Sequence, residues 1–87
     1  MQSPSSISVR CLLFARYAEI VGQEEITLDL ERNATVGQAI AALRARIPNG
    51  ARLPERPMVA VNREHVLAGH VLGDGDEIAL LPPLAGG

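Results

Sequence analysis

Apolar residues alternate with polar ones near the start of the chain, in the pattern of a half-buried strand. From Ile7 every second residue is apolar, and Leu12 and Phe14 add apolar side chains to the opposite face. The strand Ile7–Phe14 is therefore predicted to lie centrally in a sheet, or to have its second face covered by a partner. Glu25–Leu30 alternates in the same way, so the two strands are predicted to form a hairpin with a long connection.

The middle of the chain has the spacing of an amphipathic helix. Thr35 is a favourable N-cap residue, and Gln38 stands three positions later, as in a capping box. Pro48 is predicted to end the helix. Between the two strands, Tyr17–Gly22 is predicted to be a loop or a short helical turn that ends at the glycine. One apolar stripe follows the helical period: Val36, Ile40, Leu43 and Ile47.

The second half of the chain alternates short apolar runs with turn residues. Residues 49–57 carry two further prolines and are predicted to be a loop. Proline cannot donate a backbone hydrogen bond, so Pro82 and Pro83 are predicted to end the last strand. The predicted elements here are a strand over Pro57–Asn62, a tight turn over Asn62–His65, a brief strand at Val66–Leu67, a turn over Gly73–Asp76 and a final strand over Glu77–Leu81.

The resulting order, β-β-α-β-β-β, predicts an α+β fold of the β-grasp, or ubiquitin-like, type. In that fold a mixed sheet of four to five strands packs on one main helix, and the first and last strands lie side by side and parallel at the centre. Residues 1–6 are predicted to be a disordered lead. Residues 7–81 form the domain, and residues 82–87 form an extended tail.

Length and charge restrict the classes of function. Eighty-seven residues make one small domain with little room for an enclosed active site. The net charge is −2 with both signs interspersed, which argues against nucleic acid or an anionic membrane as the main partner. The chain shows no apolar run of membrane-spanning length and no signal-peptide pattern. Its single cysteine fits a reducing cytoplasm.

The chain ends in a diglycine, which suits chemistry at the terminal carboxylate. Gly86 and Gly87 place that carboxylate on a stalk without side chains, narrow enough to enter a slot that admits no other residue. A carboxylate presented in this way is suited to activation and use by the active site of another protein. The alternative is that the two glycines are an incidental frayed end.

Other residues with reactive or metal-binding side chains fit structural roles better. Cys11 lies in mid-strand among apolar residues and is predicted to be buried. His65 and His70 lack companions at ligand spacing, so no metal site is predicted. The acidic pair Asp74 and Asp76 lacks the further ligands of a calcium loop and is predicted to form a turn. No Ser/His/Asp or Cys/His set stands out among the remaining residues.

The segment Gly73–Gly87, with its Leu-Pro-Pro-Leu-Ala before the diglycine, closely resembles the C-terminus of MoaD-type sulfur carriers. These proteins are the small subunits of molybdopterin synthase. The opening Leu12–Arg16 with Glu19 and Gly22, and the entry to the helix at Ala34–Val36, agree with it. The resemblance covers residues 7 to 87 and is most specific in the tail.

The resemblance implies a carrier that undergoes chemistry at Gly87. An ATP-using activating enzyme of the MoeB type would adenylate the carboxylate, and sulfur would replace the adenylate to give a thiocarboxylate. The tail would insert into a large subunit of the MoaE type and donate sulfur to cyclic pyranopterin monophosphate. The implied assembly is a heterotetramer of two small and two large subunits, with no cofactor bound stably to the carrier.

The resemblance also implies which residues meet the partner. Phe14 and Leu81 match positions that the family uses at the large-subunit interface, and Leu12 is a further candidate. His65 departs from the apolar character of that surface. The six tail residues reach about 20 Å at ~3.3 Å each. They are Pro82 and Pro83, which favour an extended conformation, the anchor Leu84, and the narrowing end Ala85, Gly86 and Gly87.

Three alternatives remain at the level of sequence. The first is a sulfur carrier for another pathway, as in thiamine synthesis, cysteine synthesis or transfer-RNA thiolation. The second is a ubiquitin-like modifier whose C-terminus forms isopeptide bonds with lysines. The third is a non-covalent interaction module in which the diglycine is incidental. Deleting Gly87 is expected to abolish function in the first two classes and to leave the third unaffected.

Overall fold

The computed structural model describes residues 5–83 and contains five strands and two α-helices within them. Both the helix over the middle of the chain and the final strand lie where the sequence pattern predicts them. In chain order the elements are β1 (Ser6–Leu13), α1 (Ala15–Val21), β2 (Glu25–Glu31), α2 (Val36–Arg46), a 3₁₀ turn (Gly50–Arg52), β3 (Met58–Val61), β4 (Glu64–Val66) and β5 (Glu77–Leu81).

The strands form one mixed sheet in the order β2-β1-β5-β3-β4. β1 and β5 are parallel neighbours at its centre, with Leu13 opposite Leu80, while every other pair is antiparallel. A parallel pair requires a crossover, and the chain between β2 and β3, which includes α2, lies on one face of the sheet. This is the β-grasp arrangement predicted from the order of elements.

α2 begins with the predicted capping box. The Thr35 hydroxyl accepts a hydrogen bond from the Gln38 backbone N–H at 3.2 Å, and the Gln38 side-chain oxygen accepts one from the Thr35 N–H at 2.9 Å. These bonds satisfy donors that the first turn of a helix otherwise leaves free. The last helical residue is Arg46, and Ile47 is the C-cap in extended conformation.

The core lies between α2 and one face of the sheet. Within residues 5–83 no charged or polar side chain is buried in it. Burying a Leu, Ile or Val side chain fully contributes about 1.5–3 kcal/mol, so a handful of such residues dominates the stability. The most deeply buried are Leu13, Leu43, Leu53, Ile78, Leu80, Val9, Val36 and Cys11.

The connection from β1 to β2 contains a full helix, where the sequence predicted a loop or a short helical turn. α1 spans seven residues and buries Tyr17 and Val21, and Gly22 ends it in the left-handed region at φ 83°. Phe14 was predicted to be the last residue of the first strand, but it is the N-cap of α1. At the other end, β1 already includes Ser6, which the sequence assigned to a disordered lead.

The β3–β4 hairpin is tighter than predicted. Asn62 and Arg63 alone form its turn, and both have positive φ, 49° and 73°, as a two-residue primed turn requires. His65 was predicted to lie in the turn, but it belongs to β4 and pairs with Ala60. The segment 49–57, predicted to be all loop, contains the 3₁₀ turn. Neither helix within residues 5–83 combines the length and apolar character needed to cross a membrane.

Candidate functional site

The tail leaves the sheet at the end of β5. Leu81 is the last residue of that strand, and Pro82 and Pro83 follow it without strand pairing. Proline lacks a backbone donor, which explains why the ladder stops here. The predicted reacting end, Leu84, Ala85, Gly86 and Gly87, lies outside the described residues, so its proposed role stays a prediction. The surface around Leu81 can be built from the described strands.

An apolar patch surrounds this exit on the sheet face that turns away from α2. Side chains alternate between the two faces along a strand. Buried Ile78 and Leu80 therefore point to the core, whereas Ala79 and Leu81 point outward. Pairing then places Leu12 beside Ala79 and Met58 beside Leu81. The apolar patch consists of Leu12, Phe14, Met58, Ala79 and Leu81, together with Ala60, which faces the same way but is only 7% exposed.

Phe14 and Met58 are the most exposed members of the apolar patch, at 45% and 55%. Phe14 follows Leu12 by two residues with an extended backbone, φ −120° and ψ 151°, and so lies on the same face. Leu12 and Leu81 are half-buried. Scattered exposed apolar residues are ordinary, but a group at one end of a sheet is typical of a protein interaction surface.

The structure therefore brings together the three apolar residues predicted for the partner interface, Leu12, Phe14 and Leu81. The fourth, His65, is exposed in β4 opposite Ala60 and forms the edge of the apolar patch. Sequence reasoning missed Met58, Ala60 and Ala79. Met58 and Ala60 are two residues apart in a short strand, so the sequence indicates that they share a face. Only the pairing with β5 shows which face that is.

A row of charged side chains lies along the edge of the apolar patch that is farthest from the tail. Arg10 donates to Glu77 Oε2 at 2.9 Å and lies 3.6 Å from Glu25 Oε1. The Arg10 side chain is half exposed, so solvent screens both ion pairs and each contributes at most about 1 kcal/mol. The row marks where the apolar surface gives way to polar surface.

Cys11 takes no part in this surface. It is 1% exposed on the core face of β1, as predicted. Burial raises the pKa of its thiol to about 12, because the apolar surroundings disfavour the thiolate. Since the thiolate is the nucleophile and the metal ligand, Cys11 is unreactive at neutral pH. Its role in the described part of the chain is packing.

Asp74 and Asp76 hold a turn, as predicted. Asp74 Oδ1 accepts a hydrogen bond from the Ser8 backbone N–H at 2.7 Å. Asp76 Oδ2 accepts from the Gly73 N–H at 2.8 Å, and its Oδ1 accepts from the Asn62 amide at 3.0 Å. Across residues 5–83, no three histidine, cysteine or acidic side chains are grouped closely enough to hold a metal ion.

The sequence of the chain matches the model of one protein family over most of its length. A model described as the ThiS family matches residues 11–87, which includes both the strands of the apolar patch and the tail. The chain belongs to the ThiS family. This membership agrees with the ubiquitin-like fold. It also agrees with the resemblance of the C-terminal segment to sulfur carriers.

Curated relatives of this ThiS-family protein include carriers and modifiers. It is 29% identical to the molybdopterin synthase sulfur carrier subunit of Arabidopsis thaliana, over 95% of this chain and 86% of the relative. It is 35% identical to the human subunit of the same name, over 91% of this chain and 93% of the relative. It is also 35% identical to small archaeal modifier protein 1 of Haloferax volcanii, over 86% of this chain and 95% of the relative.

Solved structures agree with the fold of this ThiS-family protein. The crystal structure of SAMP1 from Haloferax volcanii superposes with a TM-score of 0.80 at 35% identity, covering 92% of this chain and 99% of that one. A complex of subunits 1 and 2 of the molybdopterin-converting factor from Helicobacter pylori contains a chain that superposes with a TM-score of 0.66. The second likeness, at 22% identity over 93% of this chain and 100% of that one, supports the fold alone.

Proposed function

We propose that this ThiS-family chain is the sulfur carrier subunit of a molybdopterin synthase. The observation that carries the proposal is the apolar patch around Leu81, at the point where the chain leaves the sheet toward its diglycine. A carrier of this kind needs a docking surface beside a tail that reaches into another active site. Carrier subunits in plants and humans are similar to this chain over nearly its whole length.

The reacting group in this proposal is the carboxylate of Gly87. A carboxylate is a poor electrophile because its charge is delocalised over two oxygens. An activating enzyme of the MoeB type would let this carboxylate attack the α-phosphorus of ATP, releasing pyrophosphate and leaving an acyl adenylate. Hydrosulfide, or a donor of equivalent sulfur, would then displace AMP and leave a thiocarboxylate. ATP is used by the activating enzyme, and the carrier itself binds no cofactor stably.

The second step delivers the sulfur. The apolar patch would dock on a large subunit of the MoaE type, and residues 82–87 would insert into that subunit's active site. Pro82 and Pro83 restrict the backbone at the exit, which lowers the conformational entropy lost on insertion. The thiocarboxylate would donate its sulfur to cyclic pyranopterin monophosphate. Because each carrier supplies one sulfur, a dithiolene consumes two.

The catalytic groups of both steps would come from the partners. Cys11, the single cysteine, is buried and protonated, and it offers no alternative nucleophile. The chain is accordingly a donor subunit rather than an enzyme by itself. We propose a heterotetramer of two small and two large subunits in the cytoplasm, the reducing compartment in which an unpaired cysteine is usual.

Intact-mass spectrometry tests the proposal. The chain is co-expressed with an activating enzyme and a sulfur source, alongside a variant that lacks Gly87. The expected result is replacement of one oxygen by sulfur in the full chain and no change in the variant. An unchanged mass, under conditions that charge a known carrier, would overturn the carrier function. Adding the large subunit and the pyranopterin precursor then tests the pathway.

A protein modifier is the second candidate, and the likeness to SAMP1 of Haloferax volcanii favours it specifically. Carrier and modifier share the activated C-terminus and differ in the acceptor of the acyl group. In the same co-expression, a modifier would yield lysine-linked conjugates that contain the C-terminal glycine after proteolysis. Thiocarboxylate without conjugates would support the carrier, and conjugates without thiocarboxylate would support the modifier.

A further inference from the structure

A groove beside the apolar patch has no part in the function proposed so far. It lies between the first turns of α2, the loop before β3, and β4 with the residues that follow it, and its volume is about 380 Å³. That volume falls in the range typical of ligand-binding clefts. Its walls are mainly apolar, and Val36, Ile40 and Val59 form the deepest part.

The groove and the apolar patch share residues. Met58 belongs to both, and His65, at the edge of the apolar patch, also lines the groove. Leu67 extends the groove outward and is 85% exposed, more than any other large apolar side chain in residues 5–83. Of the four exposed large apolar residues there, Phe14 and Met58 belong to the apolar patch and Met58 and Leu67 line the groove, so Met58 joins the two.

The groove lining contains one guanidinium, that of Arg56. Arg56 and Glu55 are both in its lining, but Glu55 faces Arg44 at 3.9 Å, so its charge is partly compensated. No hydrogen bond or ion pair joins the Arg56 guanidinium to another group in residues 5–83. The chain as a whole has a net charge of −2. An exposed guanidinium beside an apolar groove is complementary to a partner segment in which an acidic residue follows an apolar residue.

We infer that the groove receives a short arm of the large subunit, with one apolar side chain in the cleft and an acidic side chain on Arg56. The inference rests on the proposed function, since it assigns the groove to the partner that covers the apolar patch. Continuity through Met58 and His65 is the reason for choosing the same partner. A partner docked on Phe14 and Leu81 needs only to extend past Met58 to enter the groove.

Binding of the purified large subunit to the full chain tests the inference. We compare wild type with Arg56→Glu and Leu67→Asp in the groove, and with Phe14→Asp in the apolar patch. The matched controls are Arg32→Glu after β2 and Val71→Asp, an apolar residue 54% exposed outside the groove. Each groove variant is expected to weaken binding about tenfold, and Arg56→Lys should retain most of the affinity.

The outcomes separate the two proposals. If the groove variants bind like wild type while Phe14→Asp binds weakly, the arm does not exist and the carrier function stands. If wild type itself does not bind the large subunit, the proposed function fails. Weakened binding of the activating enzyme alone, or a dimer that Leu67→Asp disrupts in sedimentation, would assign the groove to another occupant and overturn the inference. Thermal melts establish that each variant is folded.

Discussion

Single residues in and just after β1 have opposite environments. Cys11 faces the core and is packed there, whereas Phe14 follows the strand and is exposed at the tail exit. The sequence predicted the burial of Cys11 from its alternation with apolar neighbours. For Phe14 the pattern left a central strand and a face covered by a partner both open, and the family resemblance favoured the partner, because an apolar residue next to a strand end is equally compatible with a core. Alternation along a strand shows that the strand has two faces, but it does not show which face is covered by the core.

The buried thiol predicts a pH dependence of stability. Burial raises the pKa of Cys11 from about 9 to about 12, so the folded state holds its proton where the unfolded state loses it. The contribution is complete below pH 9 and is lost as pH rises from 9 toward 12, at up to about 1.4 kcal/mol per pH unit. Urea denaturation of wild type and Cys11→Val between pH 8 and 10.5 measures the difference.

The Cys11→Val comparison cancels the contribution of every other group, because both proteins share them. The wild type is expected to lose stability relative to the variant above pH 9. Parallel curves across that range would show that the thiol is not held in an apolar environment. Rates of modification by a disulfide reagent at pH 8 should be correspondingly slow in the folded protein and fast in urea.

Phe14 is expected to be a binding residue rather than a folding residue. Phe14→Asp should weaken the large-subunit complex by about 2 kcal/mol or more, roughly 30-fold, since aromatic anchors dominate interfaces. The free chain should stay as stable as wild type, because the position is an N-cap, where aspartate is favourable, and the ring is 45% exposed. Titration calorimetry measures the binding. A large fall in melting temperature would instead assign Phe14 to the core.

Among the elements, those with strong periodicity were predicted well and those built by local strain were not. The capping box at Thr35 and Gln38 and the strand Glu77–Leu81 are where the pattern places them. α1 has no acidic residue in its first turn and no side-chain cap, and Ala15 at its start has φ 49°. Its end at Gly22 was predicted from the glycine, but nothing local marks its start, and the helix depends on packing of Tyr17 and Val21 into the core.

The end of α2 depends on a close approach at Gly50. A Cβ there would lie 2.4 Å from the Leu43 carbonyl oxygen and 3.0 Å from the Arg44 Cα, both backbone atoms that cannot swing aside. Gly50→Ala is therefore expected to destabilise the fold by about 1–3 kcal/mol, the range of overpacked cores. Gly69→Ala, where a Cβ meets nothing within 4 Å, is the matched control. Equal urea midpoints for the two variants would contradict the close packing at Gly50.

For the whole molecule, the topology followed from the order of elements, but the full extent of the apolar patch did not. The parallel pairing of β1 with β5 was predicted from the β-grasp order and is confirmed. The apolar patch unites residues from three strands, and Met58 and Ala60 join it only through their register with β5. A one-residue slip would turn both to the core. Register between distant strands is decided by the packed core, so local pattern does not reveal it.

The parallel pair at the centre also determines how the protein bears mechanical load. β1 starts at Ser6 and β5 ends at Leu81, so the two outward connections leave from opposite ends of the sheet. Tension between them acts along the strands and shears the β1–β5 ladder, which strains all its hydrogen bonds together instead of unzipping them singly. A force on Leu81 that is opposed at Ser6 would therefore act against the strongest direction of the fold.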